Sequence, residues 1–190
     1  LFLNEFSGHD YFHTLRVYKM ATRIAKEENA NLNIVELAAL LHDVDDIKLS
    51  PETNKNKDNA RKFLKENNIE KETINLICEI IGEISYKGIE SKPPKSLEAM
   101  CVMDADRLDA IGAIGIARAF AFGGNHNRVI YDPDIKPKLN MTEEEYRNHI
   151  STTINHFYEK LFNLKELMNT NTGKKLAVSR ELYMKEYIDE

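Results

Sequence analysis

Histidine and aspartate recur at close spacing in three separated stretches: GHDYFHTLRV at residues 8–17, AALLHDVDD at 38–46 and VMDADRLDAIG at 102–112. His13, His42, Asp43 and one carboxylate of the third stretch would give two imidazoles and two carboxylates. That hard-to-borderline set suits Mn²⁺, Mg²⁺, Fe²⁺, Co²⁺, Ni²⁺ or Zn²⁺ and leaves octahedral positions for water and substrate, so the ion would activate a water. Two choices stay open on the residues alone. The His-Asp dipeptide occurs as His9-Asp10 and as His42-Asp43, and Asp104, Asp106 and Asp109 compete for the last position. On a helix Asp104 and Asp106 lie about 200° apart, so one cannot replace the other without rotating the helix.

The elements that must position these groups read as helices. Val17, Met20, Ala21 and Ile24 fall at helical spacing, which predicts an amphipathic helix over about 10–28 with Asp10 as its cap. A second helix is expected to open at Asn33, with Glu36 making a capping-box-like start, and to run deeply buried to the second His-Asp. Ala60, Phe63 and Leu64 mark a third; Ile74, Ile77, Cys78, Ile81 and Ile84 mark a fourth ending near Gly88. A long apolar stretch follows from Leu97 to Phe122, then an irregular, Pro-containing loop over about 123–141. Thr142 to Glu145 is a capping box, predicted to start one helix carrying Tyr146, Ile150, Ile154, Phe157, Leu161 and Leu164 on one face. Gly173 bounds it, and a last helix carries Leu176, Ala177, Arg180 and Met184. No stretch alternates long enough to predict a strand, so the expected class is all-α.

With 42% hydrophobic residues in 190, the chain is expected to fold around one core as a single domain, with a metal-site core at about 9–122 and C-terminal helices at about 142–190. Lys and Arg number 26 against 31 Asp and Glu, and no basic run could neutralise a row of phosphates, which argues against a nucleic-acid polymer as partner. Cys78 and Cys101 each lie in an apolar stretch and read as reduced, buried thiols, which favours a cytoplasmic location. No segment reaches the roughly 20 apolar residues of a membrane span, and the start lacks the features of a signal peptide. Because the chain begins at Leu1 rather than Met, a few native residues are expected to precede it.

HTLRV, LLHDVDD and DADRLDAIG, in this order and spacing, resemble the H…HD…D signature of the HD superfamily of metal-dependent phosphohydrolases. The downstream NHFYEKLFNLKELMNT is similar to the C-terminal helices of a bacterial branch of small HD proteins, some members of which hydrolyse nucleoside triphosphates to monophosphate and pyrophosphate. The resemblance implies an HD-domain helical bundle with additional C-terminal helices. It places the metal ligands on His13, His42, Asp43 and Asp106, and leaves Asp10 as a helix cap with His9 before it. Asp109 would then accept a hydrogen bond behind the ligands or pair with Arg107 or Arg118, and Asp104 would be a cap or ion-pair residue. An acid four positions after the motif histidine, here Asp46, is implied as the group that orients or deprotonates water. Such an acid opposes the dipole at a helix C-terminus, which itself asks for a functional reason.

Phosphate substrates need cations, and Arg107, Arg118 and Lys87 are the expected substrate-binding residues, with Arg16, Lys160 and Arg180 as further candidates and Arg16 equally a structural ion-pair residue. His126 and His156 read as a loop residue and a packing residue. No histidine falls between His42 and His126, where HD proteins with two metals would place extra ligands, so one ion is expected, with Mn²⁺ favoured. The expected reaction is release of pyrophosphate from a nucleoside triphosphate by a monomer or homodimer. Phosphatase action on a nucleoside monophosphate, hydrolysis of a guanosine alarmone and a non-catalytic nucleotide-binding role remain as alternatives.

Overall fold

The helical spacing of the apolar residues is realised in a computed structural model, which describes residues 10–47, 49–84 and 92–190. Lys87, His9 and the expected stop at Gly88 lie outside the described residues. The elements in chain order are α1 (Tyr11–Glu28), α2 (Leu32–Leu41), α3 (Pro51–Asn54), α4 (Asp58–Glu66), α5 (Lys71–Ile84), α6 (Leu97–Asp109), α7 (Gly112–Asn125), α8 (Glu143–Asn148), α9 (Thr153–Glu159), a 3₁₀ turn at Leu161–Asn163, and α10 (Asn171–Asp189). No strand occurs among the described residues, and the fold is all-α.

Caps set the boundaries. Asp10 accepts from the His13 N–H at 2.6 Å and starts α1, and Asn29, in the left-handed region at φ 60°, ends it. The second helix starts earlier than Asn33, because the Asn31 side chain accepts from the Ile34 N–H, and Glu36 turns instead toward the Thr22 hydroxyl. Ser96 caps α6 through the Ala99 N–H. The apolar run from Leu97 to Phe122 is two helices, broken at Ala110 and Ile111, where the chain turns through Gly112 at φ +75°.

The single helix expected from Thr142 to Leu164 is three pieces. The Thr142–Glu145 capping box forms as read, but α8 ends at Asn148. The Thr153 and Ile154 N–H groups, which a continuous helix would direct to residues 149 and 150, donate instead to the Val129 and Ile130 carbonyls at 3.0 Å each. Thr152 then starts α9 with a new cap, and Ile150, expected on the apolar face, is 86% exposed. Buried Glu159 accepts from the Lys138 N–H, His149 and Ser151 and fastens the preceding loop to α9.

Helices α1, α2 and α6 pack together at the centre, α5 covers α2 and α6, and α10 lies across α1, α6 and α7. Val17, Ile24, Val35, Ile77, Val102, Leu108, Phe157 and Met184 are among the buried side chains that join these helices into one core. Cys78 and Cys101 are both buried and free of disulfides. Among the described residues no helix is long and apolar enough to cross a membrane.

Candidate metal centre

The three helices that pack at the centre bring four atoms to one point. His13 comes from the first turn of α1, His42 and Asp43 from the end of α2, and Asp106 from the last turn of α6. The Nε2 atoms of His13 and His42 are 3.2 Å apart. Asp43 Oδ2 lies 3.4 and 3.3 Å from them, and Asp106 Oδ1 lies 3.4 and 4.0 Å away. Ligand atoms of His13, His42 and Asp106 fall within 4.8 Å of one another, a spacing that could hold one metal ion. Both histidines and Asp43 are buried, whereas the Asp106 side chain is 33% exposed, so the cluster opens to solvent on that side.

Hydrogen bonds behind the cluster decide what faces it. Asp109 Oδ2 accepts from His13 Nδ1 at 2.7 Å, and the Ala39 carbonyl accepts from His42 Nδ1 at 2.8 Å. With both Nδ1 atoms donating, each neutral ring turns an Nε2 lone pair inward. Two lone pairs 3.2 Å apart, flanked by two carboxylates, repel one another unless a cation lies among them. The donor set therefore fits a divalent ion. Without a metal the same field favours a proton. Burial alone would push His42 down, yet Asp43, with help from Asp106 and the Ala39 carbonyl, raises it to about 9. His13 is likewise raised: burial opposes the charge, and Asp109, Asp43 and Asp106 outweigh it.

Asp109 is the anchor of this support. Arg16 donates to it through Nε at 2.7 Å and Nη2 at 3.0 Å, and Arg118 through Nη1 at 2.8 Å. Although burial disfavours its charge, His13, Arg16 and Arg118 hold its carboxyl well below the usual carboxylate range. Arg16 and Arg118 are thus placed by Asp109, while buried Arg107 donates to the Leu167 carbonyl. Arg118 Nε is buried without a hydrogen-bond partner among the described residues. Half-buried Lys160 belongs to the same neighbourhood: burial pushes it down to about 8, against Asp106 and with Arg118 and Arg107.

The remaining acids separate by role. Asp46 is half-buried just beyond Asp43, its N–H donating to the Asp43 carbonyl at 3.1 Å. Fully buried Asp45 accepts from the Asn59 and Ala60 N–H groups and so caps α4, whose own N-cap, Lys57, offers no acceptor. Asp104 accepts from Asn169 and from the N–H and hydroxyl of Thr170. His126 stacks on Phe122 at the surface and His156 lies on α9. The Ala39 carbonyl had no signal in the sequence, because every residue carries one. Asp45 had none either, because it lies 14 residues before Asn59 and only the fold brings it to the start of α4.

A helical bundle gathers two imidazoles and two carboxylates around one point, open on one side, an arrangement that could hold a divalent ion. The HD domain family matches residues 10–111, and the chain belongs to that family. It is 46% identical to a Lactobacillus plantarum protein of known structure, with 97% of this chain and 86% of that one covered at a TM-score of 0.86. The Bacillus subtilis protein YpgQ is 37% identical over 97% of this chain and 83% of its own length. Its crystal structure in complex with ADP superposes with a TM-score of 0.78 at 38% identity, over 97% of this chain and 88% of that one. A Bacillus thuringiensis HD-superfamily hydrolase is 41% identical, with 95% and 83% covered and a TM-score of 0.74.

Proposed function

We propose that residues 1–190 act as one HD-domain unit that hydrolyses a nucleoside triphosphate to monophosphate and pyrophosphate, with His13, His42, Asp43 and Asp106 holding a single divalent ion, Mn²⁺ by preference. The observation that carries this reading is the pair of inward-facing Nε2 atoms, 3.2 Å apart, each aligned by a hydrogen bond at its other nitrogen. When bound, the ion supplies Lewis-acid activation of water and of a phosphoryl oxygen.

The chain's own residues supply the remainder. Asp46, beside the cluster and half-buried, takes the proton of the attacking water. The water oxygen forms a bond to the α-phosphorus, the bond from that phosphorus to the bridging oxygen breaks, and pyrophosphate leaves with the electron pair. In this reading Arg118, whose Nε has no hydrogen-bond partner among the described residues, and Lys160 neutralise charge that develops on the phosphates, and Arg107 and Lys87 complete the proposed cationic set. The relative crystallised with ADP supports a nucleotide as ligand. The cell compartment we propose is the cytoplasm, which fits two free, buried cysteines.

Product analysis tests the reading. Mn²⁺-loaded protein and an Asp106→Ala control are incubated with nucleoside mono-, di- and triphosphates and guanosine tetraphosphate. We expect monophosphate plus pyrophosphate from triphosphates, reduced on the order of a thousandfold in the control, since the altered chain lacks a proposed ligand. Nucleoside plus phosphate from monophosphates, or alarmone breakdown alone, would replace the proposed reaction with one of those. Metal binding without turnover of any nucleotide would leave a binding role.

A further inference from the structure

A cavity of about 510 Å³ adjoins Asp109 between α1, the end of α6, the start of α7 and α10. Four cationic side chains line it: Arg16, Lys19, Arg23 and Arg180. One carboxylate, Asp109, also lines it, and that group is already engaged by His13, Arg16 and Arg118. None of His13, His42, Asp43 and Asp106 contributes to the lining. In a chain of formal charge −5, these four cations face one carboxylate of the lining, Asp109, and at Arg23 the surface carboxylate of Glu27, which leaves a positive excess around one small cavity that favours an anion.

The cations are held differently. Arg16 is fixed by two hydrogen bonds to Asp109, and Arg180 by one to the Leu108 carbonyl, with its stem lying across Gly112 where any Cβ would meet it at 3.1 Å. Among the described residues Arg23 pairs only with Glu27, at the surface, and exposed Lys19 has no carboxylate partner. Two preset guanidinium groups and two movable cations suit a ligand with several phosphoryl oxygens. The start of α7 adds N–H groups with no side-chain acceptor, since its N-cap is Ile111. Met20 and Ile111 provide an apolar wall of the kind a base or sugar would cover, and the volume lies within the roughly 300–1,000 Å³ of small-molecule sites.

We propose that this cavity is a second ligand site, separate from the metal centre, that binds the phosphates of a small phosphorylated molecule. An occupant there sits one carboxylate away from His13, because Arg16 and His13 share Asp109.

Calorimetric titration of Mn²⁺-loaded protein with inorganic pyrophosphate, and separately with a nucleoside diphosphate, tests the site. Both titrations are repeated on the Asp106→Ala chain and on unaltered protein treated with chelator, which silences the metal centre in two ways. We expect a binding event that survives both treatments and weakens by about tenfold or more in a Lys19→Glu/Arg23→Glu chain, through loss of two charge-assisted contacts. That variant should keep the metal content and melting temperature of the unaltered protein. Tighter binding of the nucleoside diphosphate would assign the site to nucleotides, and equal binding would assign it to the free anion; either supports the proposal. Binding that disappears with the metal, or that persists undiminished in the double variant, overturns it. Turnover is not the readout, so failure of the proposed hydrolysis would leave this result standing.

Discussion

The acidic pairs of residues 43–45 and 104–106 are built alike, two aspartates separated by one apolar residue, and they divide their labour in the same way. Asp43 and Asp106 turn toward the imidazoles of His13 and His42. Asp45 and Asp104, both fully buried, turn away and take the backbone N–H groups of distant segments: Asn59 and Ala60 at the start of α4, and Asn169 and Thr170 ahead of α10. On the helical backbone of α6 a two-residue step places side chains on opposite sides, and the turn after α2 separates Asp43 from Asp45 likewise, so one carboxylate faces the cluster while its neighbour fastens the next element behind it. Each motif therefore both contributes to the cluster and clamps a distant segment. The two functions should come apart on mutation.

Asp104→Ala is expected to have the largest effect of the clamp substitutions. It removes an acceptor of hydrogen bonds from half-buried Asn169 and buried Thr170 and leaves the Thr170 donors without it, at a cost of about 3 kcal/mol. Urea unfolding should show that loss, while the protein that remains folded keeps its Mn²⁺ stoichiometry and turnover. Asp106→Ala is expected to do the reverse. If Asp104→Ala released the metal at unchanged stability, the division between the two faces of α6 would be wrong.

A smaller effect is expected one step behind the cluster. Asp109→Asn keeps the size of the side chain but removes the charge that holds His13 Nδ1 as a donor and pairs with Arg16 and Arg118. Substitutions of such supporting groups typically weaken metal binding by about 10–100-fold. Titration of the metal-free variant with Mn²⁺ measures it. Affinity unchanged within twofold would mean that the Ala39 carbonyl and packing suffice to align the imidazole pair.

How much of this was legible beforehand follows from how local each cause is. Helix α1 follows from apolar spacing and from Asp10 at its start, all within a few residues, whereas the apolar stretch from Leu97 to Phe122 gives no sign of the break at Ala110 and Ile111. The convergence of His13, His42, Asp43 and Asp106 is readable from three short motifs in order. The break between α8 and α9 was not, because the carbonyls that take the Thr153 and Ile154 N–H groups belong to Val129 and Ile130, more than twenty residues earlier. Arg107 could be read as a phosphate ligand from its place beside Asp106, while its bond to the Leu167 carbonyl depends on a segment 60 residues away. Asp104 was read as a cap or an ion-pair residue, but its partners could be named only once α10 was placed against α6.

Gly173 gives the finest test of the clamp. It is the third residue of α10, a helical site where replacing glycine by alanine ordinarily stabilises by roughly 0.5–1 kcal/mol. Here its N–H donates to the Thr170 hydroxyl at 2.9 Å, and that hydroxyl donates in turn to Asp104 Oδ2 at 2.7 Å. A Cβ on residue 173 would lie 2.4 Å from Asp104 Oδ2 and 2.8 Å from Thr170 Oγ1, so the carboxylate and the cap would both have to move. Their displacement weakens short, buried, charge-assisted hydrogen bonds that the helix-propensity gain cannot replace. Gly173→Ala should therefore destabilise by about 1 kcal/mol, opposite in sign to the usual substitution. In an Asp104→Ala background, where the closest of these contacts is absent, the same change should be neutral or stabilising, and a double-mutant cycle by urea unfolding reads the difference. Equal effects of Gly173→Ala in both backgrounds would show that the contact between α6 and α10 does not depend on that carboxylate.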